Sequence, residues 1–482
     1  MIDFRPIFLI LGFLLTILAI VMMVPAAVDI FTGNPDWQVF AVSGGVTLFI
    51  GVSLSLTSRA GGAKLSIRQA FILTTLSWIV LTIFAALPFT FSQLELTFTD
   101  ALFEAMSGIT TTGATVIVDL DQAPPGLLLW RSLLQWFGGI GIIVMALAVL
   151  PLLRVGGMQL FHMESSDQSD KALPRTAQIA AAIGIIYLAL TIILAGALWI
   201  SGLTGFDAIA HAMTTIATGG FSTHDTSLSY YDSATVEAIT TLGMFVGSLP
   251  FLLYLSVVKG NLGALFKDSQ VQWFVTVLAV VILLVAGWLW LAHGVVPLTA
   301  LRLSSFNVVS IMTGTGYATD SFDKWGNFAV PVFFFIMFIG GCAGSTTCGI
   351  KVFRFQILYA AAKTQFENLS QPHGVFIPNY NGNPISDEVI KSVLSFFFVF
   401  GMTFALLAIG LALLGLDFLT SVSGAASAIA NVGPGLGPVI GPEGNYVSLP
   451  DGAKWLLSAG MLLGRLELFT VMVLFTRAFW RA

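Results

Sequence analysis

Charge is scarce in this chain. Only 9% of its 482 residues are Asp, Glu, Lys or Arg, against 56% hydrophobic, and mean hydropathy is +0.92. So little charge cannot cover a globular surface in water, which excludes a soluble protein and points to an integral membrane protein. Cysteine is scarcer still. Cys342 and Cys348 are too few for a disulfide framework, and with no His or acid beside them they lack a zinc pattern, so they read as small packing residues. Basic runs are missing, the net charge is −5 and the pI near 5.5, which excludes nucleic acid as a partner. The five histidines are scattered, and no Gly-x-Ser-x-Gly, His-Glu-x-x-His or Walker-type loop occurs. An enzyme is therefore not expected, nor an organic cofactor.

What the chain has is long apolar segments. The first, about 6–30, is too long for a signal-peptide core and should remain as a helix. A second follows at 39–56. The rest come in pairs at 69–92 and 127–153, 179–201 and 236–258, 272–293 and 329–360, and 390–416 and 453–476, giving ten spans. The expected division is a two-helix extension (1–60) and four units (61–156, 157–262, 263–370, 371–482).

Each pair encloses one short motif. Thr110-Thr111-Thr112-Gly113 recurs as Ala217-Thr218-Gly219-Gly220, Thr313-Gly314-Thr315-Gly316 and Ala430-Asn431-Val432-Gly433. Asp100 and Asp207 stand at the same distance before Gly113 and Gly220, with Met106 and Met213 also in register. Small residues in membranes commonly pack helices, but four copies in register point to pseudo-four-fold symmetry about one pore. Four backbone loops around an axis supply carbonyl rings that replace an ion's hydration shell. Glycine at the anchor lets the backbone turn, and threonine can add hydroxyl oxygens below. About eleven residues before each tetrad suit a short re-entrant helix whose C-terminal dipole end favours a cation.

With the N-terminus in the cytoplasm, 15 of the 20 Lys and Arg fall on that side, including Arg59, Lys64, Arg154, Lys171, Arg175, Lys351 and Lys391. Both termini are then cytoplasmic and the four repeats parallel. The tetrad loops lie outside, where Asp100, Glu104, Asp121, Asp207, Glu237 and Glu443 either draw cations to the mouth or serve as solvated loop charges. The second span of each pair shares a central glycine: Gly138, Gly247, Gly340 and Gly464. After Gly464 comes Arg465, a costly charge at that depth, which either ties backbone carbonyls or lines the ion path as a barrier. Glu467 should point to another face. His211, aligned with Glu104, reads as a packed core residue. In the third repeat the span is interrupted by Gly340-Gly341-Cys342-Ala343-Gly344-Ser345-Thr346-Thr347-Cys348-Gly349. Unwound backbone there must be buried or line a watered space, as a gate below the filter or as a kink.

These residues resemble the Trk/Ktr/HKT superfamily of potassium-translocating proteins, in its bacterial Trk membrane-subunit branch of the TrkH/TrkG type. The likeness rests on the four tetrads, on Gly340–Lys351, and on Gly460-Met461-Leu462-Leu463-Gly464-Arg465-Leu466-Glu467, and the extra N-terminal pair favours the Trk branch over the shorter Ktr branch. It implies an all-α polytopic fold of four M1–P-loop–M2 repeats around one pore, in the bacterial inner membrane. It implies potassium as the transported ion, bound at the four tetrads, and a homodimer in lipid regulated by a cytosolic RCK-type, NAD- or ATP-binding, TrkA-like subunit. Glycine at Gly113 resembles the potassium-selective members, while one shared glycine per repeat implies weaker exclusion of sodium than in tetrameric potassium channels. Cys348-Gly349 departs from the family's loop, which often has a second glycine. A proton- or sodium-coupled symporter would need a titratable group at mid-membrane. Only Arg465 and Glu467 are there, so a gated pore is favoured.

Overall fold

The computed structural model describes residues 2–58, 65–148 and 172–481. Arg59, Lys64, Arg154 and Lys171, the side chain of Arg175, and the expected boundaries at 60/61 and 156/157 lie outside what is described. Two N-terminal helices, Arg5–Thr32 and Trp37–Thr57, form an antiparallel pair. Glycine permits their close approach, because a Cβ at Gly12 would stand 2.6 Å from the Gly51 carbonyl oxygen. The pair is fixed to the first repeat by Asp29, whose Oδ1 accepts from the Gly126 backbone N–H at 2.7 Å near the start of Pro125–Ala148.

Four repeats follow. Each has a long outer helix (Ile67–Ala85, Ala172–Ile200, Ser269–His293, Asp387–Leu413) and a short pore helix (Phe98–Ile109, Gly205–Ile216, Pro297–Met312, Phe418–Ala430). The loop that carries the tetrad and an inner helix complete each one. The ten expected spans are resolved less regularly than their hydropathy suggested. Among the described residues seven helices are long and apolar enough to cross a membrane. Of the inner helices, only Pro125–Ala148 continues unbroken. The second bends by 96° between Ala234–Gly247 and Phe251–Val258, where Pro250 removes a donor, and the fourth by 104° between Asp451–Arg465 and Phe469–Phe475. At that second bend Glu467 and Leu468 take positive φ, 60° and 43°. The third is interrupted from Met337 to Lys351 between Ala329–Ile336 and Val352–Ser370. A two-stranded hairpin, Asn379–Tyr380 with Asn383–Pro384, turns through Asn381-Gly382, both at positive φ.

Candidate functional site: a four-part carbonyl ring and the loop beneath it

Three of the four pore helices start alike, the third beginning instead at Pro297 with no side-chain cap. Thr97 and Thr204 accept from the backbone N–H of Asp100 and Asp207, and Asp417 accepts from that of Thr420, so the fourth copy makes the same N-cap bond with the two residue types exchanged. All four end alike. Thr112, Gly219, Thr315 and Val432 donate their backbone N–H to the carbonyls of Ser107, Thr214, Ser310 and Ser427, and the residue before each donates to the carbonyl three positions back. This is the Schellman pattern, which requires a left-handed residue just past the helix. Thr111, Thr218, Gly314 and Asn431 provide it, at φ 53°, 49°, 71° and 51°. Two residues later the anchor glycines are again at positive φ, 86°, 76°, 86° and 106°.

The four loops close into a cycle. A Cβ at Gly113 would stand 2.3 Å from the carbonyl oxygen of Gly219, one at Gly220 1.8 Å from that of Thr315, and one at Gly316 2.1 Å from that of Val432. One at Gly433 would stand 2.7 Å from the carbonyl oxygen of Thr112. Each anchor glycine therefore abuts the carbonyl that precedes the anchor in the next repeat, and the fourth repeat returns to the first. Such an arrangement needs a shared central line, and it leaves no room for any side chain at the four anchors. The C-terminal ends of the pore helices converge on this ring with their negative dipole ends. On the mouth side, from which the pore helices descend, a cavity of about 70 Å³ is lined by all four anchors together with Arg131, His224 and Tyr446.

The threonine hydroxyls are engaged within the protein. Thr110 pairs with Thr112 at 2.8 Å and Thr313 with Thr315 at 2.7 Å, while Ala217 and Ala430 have no hydroxyl to offer. Two clamps escaped the sequence reading. Gln135 Nε2 donates to the Gly219 carbonyl at 2.6 Å while its Oε1 accepts from the Phe221 N–H, and Tyr446 Oη donates to the Gly433 carbonyl at 2.7 Å. Neither lies near a filter glycine in sequence, so no local signal marks them.

Asp100, Glu104 and Glu237 are buried against basic partners, which corrects both readings of these three as cation-drawing or solvated charges, while Glu443 and Asp121 are exposed and fit solvated loop charges. Asp100 pairs with Lys454 at 2.5 Å, Glu104 with Arg131 at 2.8 Å, Glu443 with Lys324 at 2.7 Å, and Glu237 faces Arg302 at 3.5 Å. Glu104 also accepts from Thr115 and the Val116 N–H, anchoring the segment that rises from the ring. The aligned His211 and Asn307 do the same through Ser222 at 2.9 Å and Thr319 at 3.0 Å, so the packed core histidine expected at 211 has a defined bracing role. In the loops above, His224 stacks on Tyr230, contacts Asp121 through Nδ1 and faces Asp207 at 3.7 Å. Burial works against its charge, but the carboxylates of Asp207 and Asp121 outweigh it and raise its pKa above the ordinary imidazole value. The same hydrogen bond to His224 lowers that of Asp121.

Beneath the ring the inner-helix glycines have a geometric cause. A Cβ at Gly138, Gly247 or Gly464 would meet the last carbonyl of the adjoining pore helix, that of Ile109, Ile216 or Ile429, at 2.0, 2.9 and 2.0 Å. The third glycine, Gly340, instead faces the Cys348 carbonyl within its own loop, at 1.9 Å. There the chain crosses itself: Gly340 N–H donates to Ile350 and Ile350 N–H to Phe338. Gly341, Ser345, Thr346, Thr347 and Cys348 are buried, while Gly344 and Gly349 are partly so. Gly344 accepts from the N–H of Phe251, the residue at which the bent second inner helix resumes. Thr346 Oγ1 donates to the carbonyls of Ile216 and Gly247, and Thr218 Oγ1 donates to it at 3.2 Å.

Arg465 reaches across this space. Its Nη2 donates to the Gly138 carbonyl at 3.0 Å, and its Nη1 to the Thr346 carbonyl at 3.1 Å and to Cys348 Sγ at 2.5 Å. It thus links the first, third and fourth repeats under the ring. Cys348 Sγ also lies 3.7 Å from Thr111 Oγ1, so this cysteine does more than the small packing residue expected of it. Lys351 donates to the Thr347 carbonyl and hydroxyl, and Glu467 pairs with Arg354, a partner missed because 113 positions separate them. The remaining cavity, lined by loop residues, Arg465 and Glu467, holds only about 20 Å³, room for about one water.

The family model for TrkH, described as a cation transport protein, matches residues 37–481. The chain is 46% identical over 477 residues to the Trk system potassium uptake protein TrkI of Halomonas elongata, covering 99% of this chain and 97% of that one. It is 38% identical over 485 residues to the TrkH protein of Salmonella typhimurium, covering 99% and 100%. Its fold is similar along the whole of both chains to the crystal structure of the potassium transporter TrkH from Vibrio parahaemolyticus, with TM-score 0.92 and 36% identity. With its four repeats, its interrupted third inner helix and a match over nearly its full length, this multi-pass membrane chain belongs to the TrkH family of cation transport proteins.

Proposed function

We propose that the chain takes up potassium across the bacterial inner membrane through a selective, gated pore. The observation that carries this is the closed cycle in which each anchor glycine abuts a carbonyl of the next repeat. Such a ring offers a dehydrated cation backbone oxygens from every side, and the relatives' names make potassium the ion. The tetrads ending at Gly113, Gly220, Gly316 and Gly433 are the filter. Gly340–Gly349 and Arg465 are the gate, since they fill the space below the ring and leave a cavity too small for a hydrated ion. Both termini lie in the cytoplasm, the chain works as a homodimer in lipid, and a cytosolic nucleotide-binding subunit of the Trk system moves the loop. The mechanism follows from these parts: an ion sheds water at the ring, is held by carbonyls and helix dipoles, and passes only when the loop leaves its position.

Rubidium and sodium fluxes into liposomes holding the purified protein test the proposal. Gly113→Ser should raise sodium relative to rubidium, and an unchanged ratio would count against the filter. A proton or sodium flux in fixed ratio to potassium in the same vesicles would replace the pore by a coupled symporter.

A further inference from the structure

The four-fold plan fails at one filter position. Two residues before each anchor the backbone is left-handed, and Thr111, Thr218 and Asn431 carry side chains there, whereas Gly314 carries none. Backbone conformation is not the reason, because threonine and asparagine adopt it in the other copies. Those three side chains reach under the ring, Thr111 to Cys348, Thr218 to Thr346, and Asn431 to Thr112 and Met461. In the third copy the corresponding space belongs to the intramembrane loop. A Cβ at Gly314 would stand 3.7 Å from the backbone nitrogen of Cys348, 3.8 Å from its Cβ and 3.3 Å from the Asn431 carbonyl oxygen. A Cβ there is tight only against the Asn431 carbonyl and already in van der Waals contact with Cys348, so a longer side chain has to share its space with the loop.

We infer that Gly314 is the seat of the intramembrane loop: omission of one side chain from the filter's underside is what lets Cys348 close beneath the ring, between Thr111 and Arg465. This rests on the reading of Gly340–Gly349 as a gate. The backbone of Gly314 belongs to the filter tetrad, and the absence of a side chain on it is a positioning feature that acts through the loop. Filling the seat shifts the balance from the seated loop toward the displaced one by overpacking.

The test is Gly314→Asn in the full-length protein in liposomes, because Asn431 already holds this backbone conformation at φ 51°. Rubidium flux should rise several-fold. Alkylation of Cys348 by a water-soluble maleimide should accelerate, mapped by peptide mass spectrometry with Cys342 as internal reference. Gly314→Ala, which adds only the Cβ, should move both readouts in the same direction by less, and serves if the asparagine variant does not fold. Arg465→Ala is the control for the gate itself. If it raises flux while the Gly314 variants change neither flux nor labelling, the seat is wrong and the gate stands; if none of them raises flux, both fall. A lost rubidium-to-sodium ratio without faster labelling would also overturn the seat and assign the effect to the ion-binding ring.

Discussion

Around the ring the four repeats make the same backbone bonds; beneath it they diverge. Each pore helix ends in the same pair of backbone hydrogen bonds, each loop is left-handed at the same two positions, and each anchor abuts the same carbonyl of its neighbour. On the underside one inner helix is unbroken, two are bent, one is interrupted, and Arg465 and Arg354 each cross between repeats. Symmetry is kept where an ion must meet equivalent oxygens on all sides. It is given up where, on the proposed reading, only one element has to move. A gate needs one copy of a loop, and four would obstruct one another on the axis.

The largest blow to this contrast should come from the ring. Gly220→Ala drives a Cβ to 1.8 Å from a backbone oxygen and should abolish selective flux, at a cost above the ~1–3 kcal/mol of ordinary overpacking. Wild-type rubidium flux in that variant would mean the ring is not the conducting element. Next comes its bracing. Glu104→Ala strands the buried Arg131 guanidinium and should destabilise the protein by about 3–5 kcal/mol, seen as a lower midpoint of thermal unfolding in detergent. The inner-helix glycines should grade by distance: Gly138→Ala and Gly464→Ala (2.0 Å) harm folding and flux more than Gly247→Ala (2.9 Å), and Gly141→Ala, with nothing within 4 Å, is the neutral control.

Arg465→Ala tests the asymmetric side alone, where flux should rise several-fold without a change in selectivity, and a fall would make the arginine a strut of the filter. The smallest effect expected is that of pH on the mouth. Because the fold raises the pKa of His224, its clasp on Asp121 and Asp207 contributes fully below the unfolded value of 6.5 and fades as pH climbs through the raised one. His224→Gln should flatten that alkaline decline in thermal stability.

The ring was legible in the sequence because each of its requirements is local. An anchor that must be glycine, a helix end before it and a fixed spacing recur four times, and the family resemblance drawn from them is borne out. The interrupted third span was legible for the same reason, since its glycines and hydroxyls adjoin one another. The rest depends on distant partners. The bend at Glu467-Leu468 contains neither glycine nor proline, and what stabilises it includes Arg354. The mouth acids looked free because Asp100 finds Lys454 only 354 positions later. Gln135 acts on a ring carbonyl of the next repeat and Tyr446 on one 13 positions back in its own, so nothing next to them in the chain discloses the task.

The cycle of carbonyls also bears on how the molecule is made. Its closing contact joins the last repeat to the first, with Asn431 bonded to Thr112 across 319 positions. A nascent chain halted after the third repeat has no complete ring, whatever its earlier helices have done in the bilayer. On the proposed reading of the ring as the filter, selectivity requires the fourth hairpin to have joined the first.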